Sequence, residues 1–286
     1  SDVYKRQVCY LYIRMYLSAS AEETFKCRGK VRWIVRDQNT LDALSQRDSA
    51  NSISAESANT EHTSDSIKKI AVFDFDGTVI SGQSGLLFSA YLLRRHLSSI
   101  SRTLKLLWWG TRYKLHLPQR QEEARELVVG ALTQYSVEFA NAVMHDFHRE
   151  VIEGMYRPQA LEEVRRRQAE GCCVLLVSAT FEPIAELAAQ KLGVDAFLAT
   201  KMQVGADGHY TSKVDGPVIE GAQKLVSATE WCNQHFGEGN WEIAYAYGDH
   251  YSDATLLSAA QKPCAVCPGP TLARLANKRG WKILNW

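Results

Sequence analysis

The stretch that most narrows what this chain can become is residues 68–80, Lys-Lys-Ile-Ala-Val-Phe-Asp-Phe-Asp-Gly-Thr-Val-Ile. Its apolar run, residues 70–73, has the composition of a buried strand and ends abruptly in Asp74 and Asp76, followed by Gly77 and Thr78. Parallel sheets hold their ligands at the carboxyl ends of strands, so these acids are expected at a site rather than on an arbitrary surface. Spaced two apart on extended backbone, they fall on one side and repel each other unless a cation lies between them or one holds a proton. Magnesium, a hard ion served by carboxylates and by substrate phosphate, meets that demand.

Further apolar runs end in related chemistry. Residues 172–177 suit a strand buried on both faces, with Cys172 and Cys173 as small hydrophobes within it. Ser178, Ala179 and Thr180 follow, ahead of a helix opened by Glu182 and Pro183, where a hydroxyl beside backbone N–H groups can seat a phosphate oxygen. Residues 194–202 predict another strand and residues 205–218 a hairpin. Lys224 stands in the first turn of the next helix, against the helix dipole, and either phosphate binding or plain exposure accounts for it. Residues 243–247 then run into Gly248, Asp249, His250 and Asp253. Asp249 can complete a magnesium site with Asp74, while Asp253 can fix the loop, orient Lys224 or bind a metal-held water; helix capping is the competing reading for both. His250 can approach substrate or simply serve its loop. Cys264 and Cys267 have a metal-like spacing, but without a second pair they read as strand residues. Residues 280–286 read as a tail folded back on the domain.

Between the first two strands, residues 82–155 are helical in pattern. Leucines from Leu86 to Leu93 precede Arg94, and a second apolar run reaches Trp108 and Trp109 before Gly110, which is expected to stop it. That second run is denser in apolar residues than a solvated helix needs, so it either packs inside a helical cap or presents a face to lipid or an aliphatic substrate. Residues 119–132 and 137–152 predict two more helices. His145, Asp146, His148 and Glu150 do not share one face and read as surface or packing residues. Pro158 starts a helix that leads to the second strand.

The rest of the chain bounds the answer. With 33 Lys and Arg against 32 Asp and Glu in 286 residues, no global field points to nucleic acid. Seven cysteines at irregular spacing read as free thiols in a reducing, cytoplasmic setting. Residues 1–7 resemble an adapter-derived stretch and are set aside. Residues 8–17 are apolar apart from Arg14 and too short to span a bilayer; a signal peptide is the disfavoured reading. Residues 25–35 can form a short strand or stay loose. Residues 45–66, rich in Ser, Ala, Asn, Asp and Thr, cannot bury enough area to order themselves, so 1–67 is read as an arm and linker.

Taken in order, Asp74-Phe75-Asp76-Gly77-Thr78, Ser178, Lys224 and Gly248-Asp249 with Asp253 resemble the four motifs of the haloacid dehalogenase-like (HAD) phosphohydrolase superfamily. Gly208 to Thr211, Gly216-Pro217, Gly221 to Lys224 and the ending from Ala265 to Trp281 resemble its subfamily IB, related to phosphoserine phosphatase. The resemblance covers residues 68–286. It implies an α/β fold: a Rossmann-like core with a mainly parallel sheet between helices, formed by 68–81 and 156–286, with a helical type 1 cap at 82–155.

It also implies a magnesium-dependent phosphomonoester hydrolase. Asp74 would be the nucleophile, forming an aspartyl-phosphate, and Asp76 the acid and then the base. Asp74, the Asp76 main-chain carbonyl and Asp249 would hold Mg2+, with Asp253 behind them. Ser178, Lys224, Gly77 and Ala179 would hold the phosphate. Relatives that act on phosphoserine carry a glutamate where this chain has Gln83, and an amide supplies no full charge to a substrate ammonium. A small phosphorylated metabolite other than phosphoserine is therefore expected. The apolar stretch 86–109 also resembles cap segments of phosphatidylglycerophosphate phosphatases, which keeps a lipid phosphate in view. A phosphotransferase using the same intermediate and a non-catalytic binding protein are the remaining alternatives.

Overall fold

The computed structural model describes residues 67–114 and 121–286, so the expected arm, its apolar run and the Ser-rich linker lie outside the described residues. Strand β1 (Lys68–Phe73) is the middle of a seven-stranded sheet ordered β4-β3-β2-β1-β5-β6-β7. The others are β2 (Cys173–Phe181), β3 (Ala196–Val204), β4 (Tyr210–Asp215), β5 (Trp241–Gly248), β6 (Lys262–Val266) and β7 (Lys282–Leu284). Every pairing is parallel except that of β3 with β4, so residues 205–218, expected to form a hairpin by themselves, supply only its turn and second strand.

A parallel sheet must be covered on both faces, and β1 shows why its sequence suits the centre. Ala71 and Phe73 point into one apolar cluster, Ile70 and Val72 into the other, and none of the four is solvent-exposed. The first cluster takes in helices α1 (Ser84–Arg94), α4 (Val137–Phe147), α5 (Pro158–Ala169) and α6 (Glu182–Leu192). The second is closed by α7 (Ala222–Phe236), α8 (Ala254–Ala259) and α9 (Pro270–Arg279). Helices α2 (Ile100–Lys114) and α3 (Gln121–Val129) complete the inserted helical region between β1 and β2.

Register sets the site. Phe73 pairs with Leu176 on one side and Tyr247 on the other, so Asp74 and Asp249, each just past its strand, and Ser178, within β2, all lie within two residues of a common line. Below that line Phe73 stacks on Tyr247 at 4.1 Å between ring centroids. The Tyr247 hydroxyl donates to Glu163 at 2.6 Å and accepts from Arg167 Nε at 2.9 Å, tying α5 to the sheet through buried charge.

Several boundaries differ from the sequence reading. Gly110 does not stop its helix: α2 runs on to Lys114, because one interior glycine costs only ~1 kcal/mol and Leu106 on that helix packs against the core. Trp108 and Trp109 part company, the first exposed and the second half-buried. The helix expected over 137–152 changes at His148 into a π turn, His148–Ile152, with His148 buried and 2.8 Å from the Tyr156 hydroxyl. β2 continues through Ser178 to Phe181, with its register to β3 shifting after Val177. The tail forms β7, whose three residues are too few to announce a strand. Cys172, Cys173, Cys232, Cys264 and Cys267 are free thiols, and Cys264 is a buried strand residue.

Replacing Tyr247 by Phe leaves Glu163 and Arg167 each one hydrogen bond short. A loss of about 1–2 kcal/mol in unfolding free energy by urea titration is expected, and an unchanged midpoint would show that the network contributes nothing net.

Candidate active site

The chain leaves β1 through a hydrogen-bonded turn. The Asp74 N–H donates to the Tyr247 carbonyl at 3.0 Å, extending the ladder by one rung, and the Val79 and Ile80 N–H groups both return to the Phe75 carbonyl, at 2.9 and 3.1 Å. This turn demands Gly77. Its φ is +75°, and a Cβ there would lie 2.0 Å from Asp249 Oδ2. Gly248 meets a similar demand, since a Cβ on it would lie 2.8 Å from the Asp253 side chain.

At the centre is Lys224, brought by the first turn of α7 and almost wholly buried. Its Nζ donates to Asp74 Oδ1 at 2.5 Å and to Asp253 Oδ1 at 2.7 Å. The dipole penalty noted from the sequence is thus met by two carboxylates. Burial works against the Lys224 charge, but Asp253 and Asp74 outweigh it and push its pKa up. Thr78 adds a hydroxyl donor to Asp74 Oδ2 at 3.3 Å.

Asp249 joins this pair. Asp74, Asp249 and Asp253 each offer a carboxylate oxygen within 4.8 Å of the others. One ammonium cannot balance three such groups. Burial pushes the Asp74 pKa up to about 7, opposed by Lys224 and reinforced by Asp253. Burial, then repulsion from Asp74 and Asp253, raises Asp249 well above the usual carboxylate range. An all-oxygen, electron-rich cluster with surplus negative charge fits a hard divalent cation.

Asp76 stands apart from this cluster. Its Oδ1 accepts the Ser84 N–H at 2.7 Å and its Oδ2 the Ser84 hydroxyl at 2.9 Å, so the first residue of α1 holds it from the inserted region. Burial raises its pKa while both Ser84 bonds favour the charged form. The Ser84 hydroxyl also lies 2.9 Å from Thr180 Oγ1, and the Thr180 N–H donates to Ser178 Oγ at 3.1 Å, linking Asp76 to the end of β2.

The remaining expected residues are placed less centrally. Ala179 meets the inserted region through its carbonyl, which accepts Arg125 Nε at 3.2 Å; Arg125 also donates to Glu220 at 2.9 Å. The Gly77 carbonyl accepts from Arg157 at 3.3 Å. Gln83 is half-buried at the start of α1 and its side chain makes no capping bond. His250 is exposed, and its ring nitrogen Nδ1 accepts the Ser252 N–H at 3.3 Å, while its own N–H donates to Asp253 Oδ2 at 3.2 Å. Sequence reasoning passed over Ser84, Arg125, Arg157 and Glu220. Only Ser84 carried a signal, as a small polar residue at a helix start soon after the acids.

A model of the haloacid dehalogenase-like hydrolase family matches residues 71–258. A histidinol-phosphatase of Neisseria meningitidis serogroup C is 25% identical over 227 residues, 77% of this chain and 100% of that protein. A solved structure of a protein of unknown function from Bordetella pertussis Tohama I is similar with a TM-score of 0.70 and 28% identity, covering 77% of this chain and 99% of that one. A structure of the phospho-aspartyl intermediate analogue of phosphoserine phosphatase is similar in fold, with a TM-score of 0.52, 21% identity, and 76% and 92% of the two chains covered.

The raised carboxylates fix a sign. The folded protein retains protons that the unfolded chain releases above 3.8, so their contribution to stability falls as pH rises from about 4 toward 7. A divalent cation competes with those protons. Its stabilising shift in Tm is therefore expected to grow over the same interval and to vanish in Gly77→Ala, where the Asp249 carboxylate is displaced; an equal shift at both ends of that range would contradict a carboxylate site.

Proposed function

The chain belongs to the haloacid dehalogenase-like hydrolase family, and on that footing we propose that it is a magnesium-dependent phosphomonoester hydrolase working through an aspartyl-phosphate on a small phosphorylated metabolite. The observation that carries this reading is the buried contact of Lys224 with Asp74 beside a second acid, Asp76, that is held separately by Ser84. A structural ion pair needs only the first of these.

In the first step an Asp74 carboxylate oxygen attacks phosphorus while the bond from phosphorus to the ester oxygen breaks. Asp76 gives its proton to that departing oxygen. In the second step water attacks phosphorus, the bond to Asp74 breaks, and Asp76 takes the water proton. Inorganic phosphate leaves and both acids return to their starting states. The opposing influences on Asp76 suit this alternation, since burial favours its neutral form and the Ser84 bonds its charged one.

Lys224 favours the ionised form of Asp74 against the cost of burial and can meet a phosphate oxygen beside it. Ser178 is oriented by the Thr180 N–H, which occupies its oxygen and leaves its own O–H to donate. Asp74, Asp249 and the Asp76 main-chain carbonyl would hold Mg2+, with Asp253 bracing Lys224. Magnesium supplies positive charge that offsets the repulsion between a carboxylate nucleophile and a phosphate dianion. At Gln83 an amide stands where a substrate ammonium would call for a carboxylate, which supports a substrate other than phosphoserine.

Phosphate release from a panel of phosphomonoesters, with magnesium or with chelator, tests the reading. Asp74→Asn is expected to lower release by about 10³-fold or more. Full release by that variant would overturn the proposal. Asp76→Asn separates the second role: alkyl phosphates should lose about 10²–10⁴-fold, whereas p-nitrophenyl phosphate, whose leaving group needs no proton, should lose much less in its first step. Equal losses under single-turnover conditions would remove the acid role from Asp76.

A further inference from the structure

Helix α2 is apolar on the wrong side as well as the right one. Thr103 and Leu106 face inward, the former buried and the latter packed against the core. On the opposite side Ile100, Leu104 and Trp108, spaced four apart, are 69%, 59% and 60% exposed. Residues at that spacing fall along one stripe of a helix. Single exposed leucines need no explanation, but an aligned row ending in tryptophan on a helix already packed by its other face does.

The charge along the row's own segment is one-sided. Between Asp76 and Glu122 the chain has no Asp or Glu and seven Lys or Arg. Among the described residues Arg95 meets Glu150 and Arg112 meets Glu123. Lys105 is exposed one position beyond Leu104, and Arg94 and His96 are exposed just ahead of α2. An aliphatic row ending in tryptophan, set in an acid-free cationic segment, matches the chemistry of an anionic lipid surface, where the apolar row enters the headgroup boundary and the cations meet lipid phosphates. A second copy of this face fits worse, because pairing it with itself would bring like charges together. No helix among the described residues is long and apolar enough to cross a membrane, so the contact is one of lying on the surface.

We propose that the exposed face of α2, built on Ile100, Leu104 and Trp108 with Lys105 beside them, docks the protein on an anionic membrane surface. This does not depend on the phosphatase reading. A docked hydrolase would act at the interface on whatever phosphomonoester is present there, soluble or lipid-borne.

Co-sedimentation of the full chain with vesicles of phosphatidylcholine, with and without phosphatidylglycerol, tests it. Binding is expected to the anionic vesicles, to weaken about tenfold or more without phosphatidylglycerol and in Trp108→Glu or Leu104→Glu, and to weaken with added salt and in Lys105→Glu. All three substitutions lie on solvent-exposed positions, so circular dichroism and Tm should stay unchanged and separate lost docking from lost folding. No sedimentation, or equal sedimentation of wild type and the glutamate variants, would overturn the proposal. So would a concentration-dependent dimer, dissolved by Trp108→Glu, in a protein that ignores vesicles, since that result assigns the face to a second copy.

Discussion

One buried ammonium facing three carboxylates is the constraint around which the rest of this molecule is arranged. Lys224 reaches Asp74 and Asp253 together, and Asp249 stands close to both. Taking such charges out of water is costly, and the attraction between them offsets that cost only when geometry and hydrogen bonding are nearly complete. The protein supplies this by burying Lys224, Asp74 and Asp253 together and giving Asp74 a Thr78 hydroxyl and Asp253 the His250 N–H. It still leaves more negative charge than Lys224 can balance. That surplus of negative charge fits a cation.

Holding four such groups together requires backbones to approach unusually closely. The parallel register brings the ends of β1, β2 and β5 level, but level ends alone leave side chains competing for the same space. Gly77 and Gly248 relieve that competition, each standing where a Cβ would collide with a carboxylate from elsewhere in the site. The glycine of Asp-x-Asp-Gly-Thr therefore does two things: it adopts a left-handed turn and it makes room for Asp249.

The sequence made the central part of this legible because strands and their ends are local signals. Residues 70–73, 172–177 and 243–247 are apolar runs, and all but Cys172 lie within an observed strand. Asp74, Ser178, Lys224 and Asp249 stand out in the sequence for the same reason: each follows an apolar run or opens a helix. What could not be read was anything set by distant segments. Nothing near Gly110 indicates that packing of Leu106 carries α2 past a glycine, and β7 is a strand only because β6 lies beside it. Arg125, Arg157 and Glu220 are ordinary charged residues in sequence, and their partners lie about 54 to 129 positions away.

Those long-range bonds change how the inserted helices should be understood. They do not merely cover the sheet edge. Ser84, the first residue of α1, gives both its N–H and its hydroxyl to Asp76, and Arg125 of α3 reaches the Ala179 carbonyl beside Ser178 while pairing with Glu220, four residues before Lys224. Hydrogen bonds weaken steeply with misalignment, so a shift of α1 by about an ångström would remove much of what favours the charged form of Asp76. Burial already outweighs those bonds and raises the Asp76 pKa, and without them it would meet less opposition. The acid strength of Asp76 is in this way tied to the position of the inserted region, and whatever moves those helices reaches the carboxylate to which the proposed mechanism gives the proton exchange.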